Sequence, residues 1–316
     1  MVLPLPDFLT KQLFDPLGEH EFWQNIYGKT WHAFLQNPEN PKRFEPDFSH
    51  ASFLKLLQVP STWSQNSVKL VVNGTVLPAR QYCRPMEYRR DPNVMVPDWK
   101  TVEEILLKGA TLVLNAVDLW HEFSNHLSSY LEELSLCRAQ ANLYWTEGSY
   151  RGFDLHYDAH DVIVLQLSGR KIWKIYSGTN KNPDEPVPPA PISKMKAGEY
   201  FDTVDLKAGD VLYIPAGRYH EATVYENHSI HLSFALKLLR PKDIMAALFA
   251  QLAEKPFVNE VLYLKPDAEK ALSDSLSRLQ TELQALTQDP ALLKGILNRA
   301  REAARQRQGL NWRHLD

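Results

Sequence analysis

Short apolar runs broken by turn residues fill the middle of the sequence, and apolar residues at helical spacing fill its end. The run Val162-Ile163-Val164-Leu165-Gln166-Leu167, the pair Ser168-Gly169 and the run Arg170-Lys171-Ile172-Trp173-Lys174-Ile175-Tyr176 predict two strands joined by a tight turn. Leu206 to Asp210 reads as a turn into a strand Val211 to Ile214, which stops at Pro215-Ala216-Gly217. Upstream, Val68 to Val72, Asn73-Gly74 and Thr75 to Leu77 carry a hairpin signal, because Asn-Gly supplies the positive backbone angles of a tight turn. Thr101 with Glu104 resembles a capping box for a short helix closed by Gly109. Ala110 to Asn115 predicts an apolar strand, and Leu119, Phe123, Leu127, Tyr130 and Leu134 lay one helix face on a core. The aromatic stripe Phe22, Trp23, Tyr27, Trp31 and Phe34 mixes in helical spacing and reads as core. Residues 37–50, with three prolines, and the Pro-rich residues 183–191 read as loops. Past Arg240-Pro241 the period becomes helical at Ile244, Leu248 and Leu252, at Leu272, Leu276, Leu279 and Leu283, and at Leu293, Ile296 and Ala300. Pro241 and Pro290 stand at helix starts, and Val258 to Leu264 is one short possible strand. The expected fold is mainly β, a barrel of short strands flanked by helices and followed by a helical region.

Composition sharpens this only a little. The 316 residues suffice for one large domain or two, with a sizeable core. A net charge of −3 exerts no general pull on nucleic acid or an anionic membrane, so direct nucleic-acid binding is not expected. The one charge run, with Arg299, Arg301, Arg305 and Arg307, reads as a solvated helix face. Cys83 and Cys137 match no metal-binding or redox spacing and fit free thiols in a reducing cytoplasm. The stretch Met1 to Asp15 has prolines and acids where a signal peptide has a basic region and an apolar core. No apolar run approaches the length needed to span a bilayer.

Candidate chemistry gathers at Leu155-His156-Tyr157-Asp158. Side chains alternate along a strand, so His156 and Asp158 project from one face. An imidazole and a carboxylate are two thirds of the facial triad that holds non-haem iron(II) with open positions. Alone, His-x-Asp equally suits a solvated surface strand. His220, just past the strand that ends at Pro215, sits where a distal ligand is presented at a barrel mouth; the competing reading is a capped loop histidine. His160 is a candidate neighbour of the site, and His228, after the turn at Glu226-Asn227, reads as structural. Lys171 shares a strand face with Trp173 and Ile175, while Lys174 takes the other face with Ile172. A lysine on an inward face is costly unless paired; on a surface it would lay its stem on the sheet.

The run "QANLYWTEGSYRGFDLHYDAHDVIVLQLSGRKIWKIY" from Gln140, with "LKAGDVLYIPAGRYHEATVYENHSIHLSFAL" from Leu206, resembles the Jumonji C family of cupin-fold 2-oxoglutarate oxygenases, nearest its bacterial cupin and ribosomal-oxygenase branch. The likeness extends weakly through "FWQNIYGKTW" and "LKGATLVLNAV" and reaches about Arg240. It implies a double-stranded β-helix, the cupin jelly roll, at residues 116–240, with flanking elements at 1–115 and a helical region at 241–316. It implies iron(II) held by His156, Asp158 and His220, the distal carboxylate of 2-oxoglutarate bound by Lys171, and cosubstrate contacts from Asn142, Tyr144 and Ser233. The implied activity is hydroxylation of a carbon–hydrogen bond in the side chain of a protein, peptide or amino-acid-derived substrate, with succinate and CO2 as coproducts. The alternatives are a metal cupin without oxygenase activity, an isomerase or a ligand sensor, and an N-methyl demethylase. Relatives that end in a winged-helix domain differ from the helices read after Arg240. Because relatives dimerise through helical segments, a homodimer is expected.

Overall fold

Antiparallel pairing of short strands builds two sheets that share one long strand. The computed structural model describes residues 12–36, 43–44, 53–54, 57, 63–86, 94–148, 151–183, 197–224, 228–263 and 265–305. A helical turn α1 (Glu19–Glu21) runs on as a π-turn over Phe22–Ile26 and leads to β1 (His32–Phe34). The hairpin β2 (Val68–Val72) and β3 (Thr75–Val76) turns at Asn73 and Gly74, whose φ angles of 47° and 76° are both positive, as its Asn-Gly pair requires. Next come β4 (Cys83–Pro85), β5 (Met95–Pro97), α2 (Trp99–Leu106), β6 (Thr111–Leu114) and α3 (Glu122–Ser135). The barrel strands follow: β7 (Arg138–Glu147), β8 (Arg151–His156), β9 (Asp161–Thr179), β10 (Tyr200–Lys207), β11 (Val211–Ile214), β12 (Arg218–Thr223) and β13 (His228–Lys237). One sheet has the order β1-β11-β9-β13-β7-β6-β2-β3; in the other, β9 lies between β10 and β12, and β12 pairs onward with β8. This is a jelly roll, mainly β with flanking helices.

Val162 and Val164 of β9 with Leu212 and Ile214 of β11 face Trp173 and Ile175 of β9 with Val204 and Leu206 of β10, and Ala222 of β12 closes the cluster. These nine residues are all buried, so the barrel interior is a packed core wherever the site does not occupy it. The aromatic stripe is core as expected at Phe22, which stacks on Phe14, and at Phe34, which meets Phe14 edge to face. Trp31 and Phe34 are not part of a helix, however, because the backbone extends into β1 there.

Four local expectations are corrected. The predicted turn at Ser168-Gly169 is absent: β9 runs unbroken and passes from one sheet to the other. Its first half pairs with β11 and β13, its second half with β10 and β12. Gly169 has a φ of 66°, and β13 skips Leu167 in its register, so the residues that suggested a hairpin bend a strand instead. The helix α2 is capped by Asp98, whose carboxylate accepts from the backbone N–H of Lys100 and Thr101, one turn before the expected capping box. On α3 the buried face runs through Phe123, Leu127 and Leu131; Leu119 precedes the helix and is 61% exposed. Val258 to Tyr263 forms no strand, since a 3-10 turn occupies Pro256–Asn259. Of the predicted loops, 37–42, 45–50 and 184–191 lie outside the described residues, as do residues 1–11, Arg307, Leu264 and the Glu226-Asn227 turn.

Residues 135–138 and 238–316 form a second compact unit. It contains α4 (Pro241–Ala253), α5 (Ala268–Gln288) and α6 (Pro290–Arg305), and prolines open α4 and α6 as expected. Ion pairs Lys255–Glu282 and Arg278–Glu260 decorate its surface. Among the described residues, no helix is long and apolar enough to cross a membrane.

The bend in β9 generates a test. A Cβ at Gly169 would overlap the backbone carbonyl oxygen of His228, and the positive φ independently disfavours any L residue other than glycine. Gly169→Ala is expected to destabilise the protein by at least about 1–2 kcal/mol, the ordinary cost of the left-handed region. Denaturant midpoints would measure it, and an unchanged midpoint would refute the bend as described.

Candidate metal centre and anion pocket

His156 closes β8 and His220 lies on β12, and the two are partners in the antiparallel register. Their ring centroids stand 4.3 Å apart. Asp158 is not on a strand, because β8 stops at His156; the alternation that placed it beside His156 does not apply. What places it is the turn, whose Asp158 carbonyl accepts from Gly217 N at 2.8 Å. The turn ends at Asp161, a buried carboxylate that accepts from Tyr213 Oη at 2.5 Å and Ala216 N at 2.8 Å. Asp158 Oδ2 thereby comes to 3.5 Å from His220 Nε2, and one donor atom from each of His156, Asp158 and His220 lies within 4.8 Å of the others.

This donor set fits a divalent transition metal on grounds that do not depend on spacing alone. Nδ1 of His156 bonds the carbonyl of Asp154 at 2.8 Å, and Nδ1 of His220 bonds the carbonyl of Arg218 at 2.9 Å. A carbonyl only accepts, so each Nδ1 carries a proton and each Nε2 is the ring nitrogen left to face the centre. Burial, then the neighbouring His156, pushes His220 down to about 4, so its imidazole is neutral at physiological pH. Burial pushes the Asp158 carboxyl up, but the His156, His220 and His160 imidazoles outweigh it and hold the group below its ordinary value. Two imidazoles and one carboxylate, with no thiolate, are the donor set of a candidate iron(II)-type site.

Behind the triad lies a buried cation. Lys171 is 3% exposed and forms no hydrogen bond or ion pair with any described residue. Its Nζ stands 5.7 Å from the Trp173 ring centroid, and that ring is 5.8 Å from the ring of His220. Burial lowers the Lys171 ammonium to about 7. The neighbouring Arg170 is spoken for, since its guanidinium grips Asp205 with contacts of 2.5 and 2.8 Å on the outer face. Lys174 also points outward and sits 3.4 Å from Glu221.

Tyr144 stacks flat on His231, with ring centroids 4.8 Å and planes 4° apart. Burial, then the charge of Asp158, raises its phenol to about 12 and keeps it neutral. Asn142, on the same strand, spends Oδ1 on Ala116 N at 3.0 Å and Gln140 Nε2 at 3.2 Å. Ser233 is half-buried opposite Val164, on the interior face of β13. His160 contributes charge near Asp158 and His220, and His228 holds Ser168 Oγ at 2.8 Å, a structural bond. Trp173 and His231 complete the pocket although the sequence pattern assigns neither a site role. Strand alternation from Ser233, which puts His231 on the same face, is the one sequence signal that could find it.

Residues 118–244 match the JmjC domain family. The protein from Aedes aegypti described as bifunctional lysine-specific demethylase and histidyl-hydroxylase NO66 is 29% identical over 70% of this chain and 33% of its own length. The Dictyostelium discoideum protein of the same description is 37% identical over 35% of this chain and 22% of its own length. The protein thus spans a third or less of these curated relatives. The Escherichia coli ribosomal oxygenase YcfD superposes with a TM-score of 0.56 and 18% identity over 89% of this chain and 69% of that one. YcfD in complex with cobalt and 2-oxoglutarate does so with a TM-score of 0.55 and 17% identity over 89% and 70%. These structures share the fold, and the match of residues 118–244 to the JmjC domain family covers the barrel strands that carry His156 and His220.

Proposed function

We propose that this protein is an iron(II)- and 2-oxoglutarate-dependent oxygenase that hydroxylates a carbon–hydrogen bond in the side chain of a protein or peptide residue. The observation that carries this reading is the unpaired, buried Lys171 in the same barrel interior as the His156, Asp158 and His220 triad. A metal-binding cupin has no need of such a cation, whereas a dianionic cosubstrate does. Leaving an ammonium dry and unpaired costs several kcal/mol, which a bound carboxylate would offset. The cobalt and 2-oxoglutarate in the YcfD complex support the same ligand pair.

Bound iron(II) would couple decarboxylation of 2-oxoglutarate by O2 to insertion of one oxygen into the substrate C–H, releasing succinate and CO2. The protein's own residues bind, orient and exclude. His156, Asp158 and His220 would take the metal, His220 without prior loss of a proton because its buried imidazole is already neutral. Lys171 would hold the distal carboxylate, and Tyr144, neutral and stacked on His231, would donate its hydroxyl proton to a cosubstrate oxygen. Asn142 hydrogen-bonds Tyr144 and would orient its hydroxyl, and Ser233 offers a hydroxyl further along the interior face. Trp173, packed against Lys171 and His220, keeps water from the space between cation and metal.

A protein substrate is favoured because the relatives are described as a ribosomal oxygenase and as histidyl-hydroxylases. Their second description, lysine-specific demethylase, uses the same chemistry on an N-methyl group, and formaldehyde release would distinguish it. Two buried cysteines outside any disulfide, Cys83 and Cys137, accord with a reducing cytoplasm. The helices after Pro241 expose Ile244, Met245, Phe249, Leu272 and Leu276, and we assign that apolar surface to a homodimer contact.

His156→Ala and Asp158→Ala are expected to abolish succinate formation from 2-oxoglutarate and to weaken metal binding; wild-type turnover in either refutes the ligand set. Lys171→Ala should raise the 2-oxoglutarate requirement more than about a hundredfold, the effect of breaking a buried pair worth ~3–5 kcal/mol, while metal affinity stays unchanged. Lys171→Arg should retain part of the activity, because charge survives but the guanidinium needs more room.

The depressed Lys171 gives a pH signature. Its free-protein value of about 7 means the cation is present below that pH and lost above it, while a bound dianion holds the proton on. Cosubstrate affinity should therefore be level just below pH 7 and fall by up to about tenfold per unit above it. Calorimetric titrations between pH 6.5 and 9 would read this slope, and a flat profile would contradict it. Light scattering at micromolar concentration should return a dimeric mass; a monomer removes the assembly assignment.

A further inference from the structure

His231 is a buried histidine with no structural bond to account for it. It is 2% exposed, and neither ring nitrogen is hydrogen-bonded to any described residue. Gln166, its register partner across the sheet, commits its amide Nε2 to the Ser168 carbonyl and Ser229 Oγ and does not bond the ring. A polar group so deep costs free energy unless something satisfies it. Every group packed on the ring belongs to the pocket. Tyr144 covers one face, Trp173 meets it edge-on at 5.8 Å, and the charge of Lys171 reaches it. The Tyr144 and Trp173 rings and the Lys171 charge all bear on this imidazole, and the indole Nε1 is likewise buried without a partner. Unpartnered N–H groups gathered around one cation describe the lining of an oxygen-rich anion site.

Resting on the oxygenase reading above, we infer that His231 is a cosubstrate-binding residue: a ring N–H donates to the distal carboxylate that Lys171 attracts, so two side chains from facing sheets hold it. Lys171 lies on the second half of β9 and His231 on β13, which pairs with the first half, so the two reach the carboxylate from opposite walls of the barrel. Two donors from opposite walls fix the carboxylate in position, where a single ammonium on a flexible stem fixes only its distance. The neutral ring suits this role, because an imidazolium beside the Lys171 ammonium would be repelled before any ligand arrived.

The test is binding, read by calorimetry on manganese(II)-loaded full-length protein, with 2-oxoglutarate and with 2-oxobutanoate, which lacks the distal carboxylate. His231→Phe keeps a ring to stack on Tyr144 and removes the donor. It should weaken 2-oxoglutarate about ten- to a hundredfold, the worth of a hydrogen bond to a charged group, and leave 2-oxobutanoate and manganese(II) affinity unchanged. His231→Asn restores an N–H without the ring and should bind 2-oxoglutarate more tightly than the Phe variant. Unchanged 2-oxoglutarate affinity in His231→Phe, equal loss for both 2-oxo acids, or weaker binding by Asn than by Phe would each overturn the assignment. Lys171→Ala runs in parallel: if it loses 2-oxoglutarate while His231→Phe does not, only the histidine's role fails. If neither variant loses it, the oxygenase reading fails with it.

Discussion

Strand β9 has to serve two sheets at once, and the site follows from how it does so. In its first half the inward residues are even-numbered, Val162 and Val164 in the core and Gln166 opposite His231; in its second half they are odd-numbered, Lys171, Trp173 and Ile175. A regular strand cannot change parity, since successive side chains alternate without exception. The extra residue at Leu167, where β13 skips a partner, supplies the change, and Gly169 supplies the bend. Without that irregularity Arg170 would enter the barrel and Lys171 would face solvent. Instead Arg170 is neutralised outside by Asp205.

The electrostatic pattern separates inside from outside along the same strand. Outward charges on β9 are matched, Arg170 by Asp205 and Lys174 by Glu221. Inward groups are not, and Lys171, Trp173 Nε1 and the His231 ring carry donors that no described residue accepts. In a packed interior such groups are destabilising, and a cost of this kind is what the proposed cosubstrate would offset. The metal triad shows the opposite economy, since its two Nδ1 atoms are satisfied by backbone carbonyls and only the Nε2 atoms are left for the metal.

How much of this is legible in the sequence depends on range. Strand identity is readable because apolar runs and β-branched residues are local signals, and so is the inward face of Lys171, which needs only alternation within Arg170 to Tyr176. The helices after Pro241 are readable for the same reason. The bend at Gly169 is not: a serine-glycine pair between two apolar runs has the same local chemistry whether the backbone folds back or swings across a barrel, and only pairing with β13 decides. Asp158 reaches the right place for a different reason than strand alternation suggests. A turn pinned by Gly217 and Asp161 carries it, and those contacts span more than fifty residues, as in Ala216 N to Asp161 Oδ1 with a separation of 55. His231 escapes a sequence reading because a lone histidine on a strand looks like core until its neighbours are known.

The residues flanking the ligands explain why the triad holds its geometry. Tyr219, beside His220 on its strand, meets Tyr157 edge to face at 5.4 Å, and both pack with Tyr176. Tyr176 in turn donates to Glu221 at 3.0 Å. The residues next to His156 and His220 in sequence are therefore anchored in one buried aromatic cluster. With His156 and His220 also paired in backbone register, the ligand positions are set by the fold rather than by the metal. Such an arrangement differs from a zinc finger, in which metal binding supplies the folding free energy; here the sheets bring the two histidines together, and the proposed ion would meet donors already assembled.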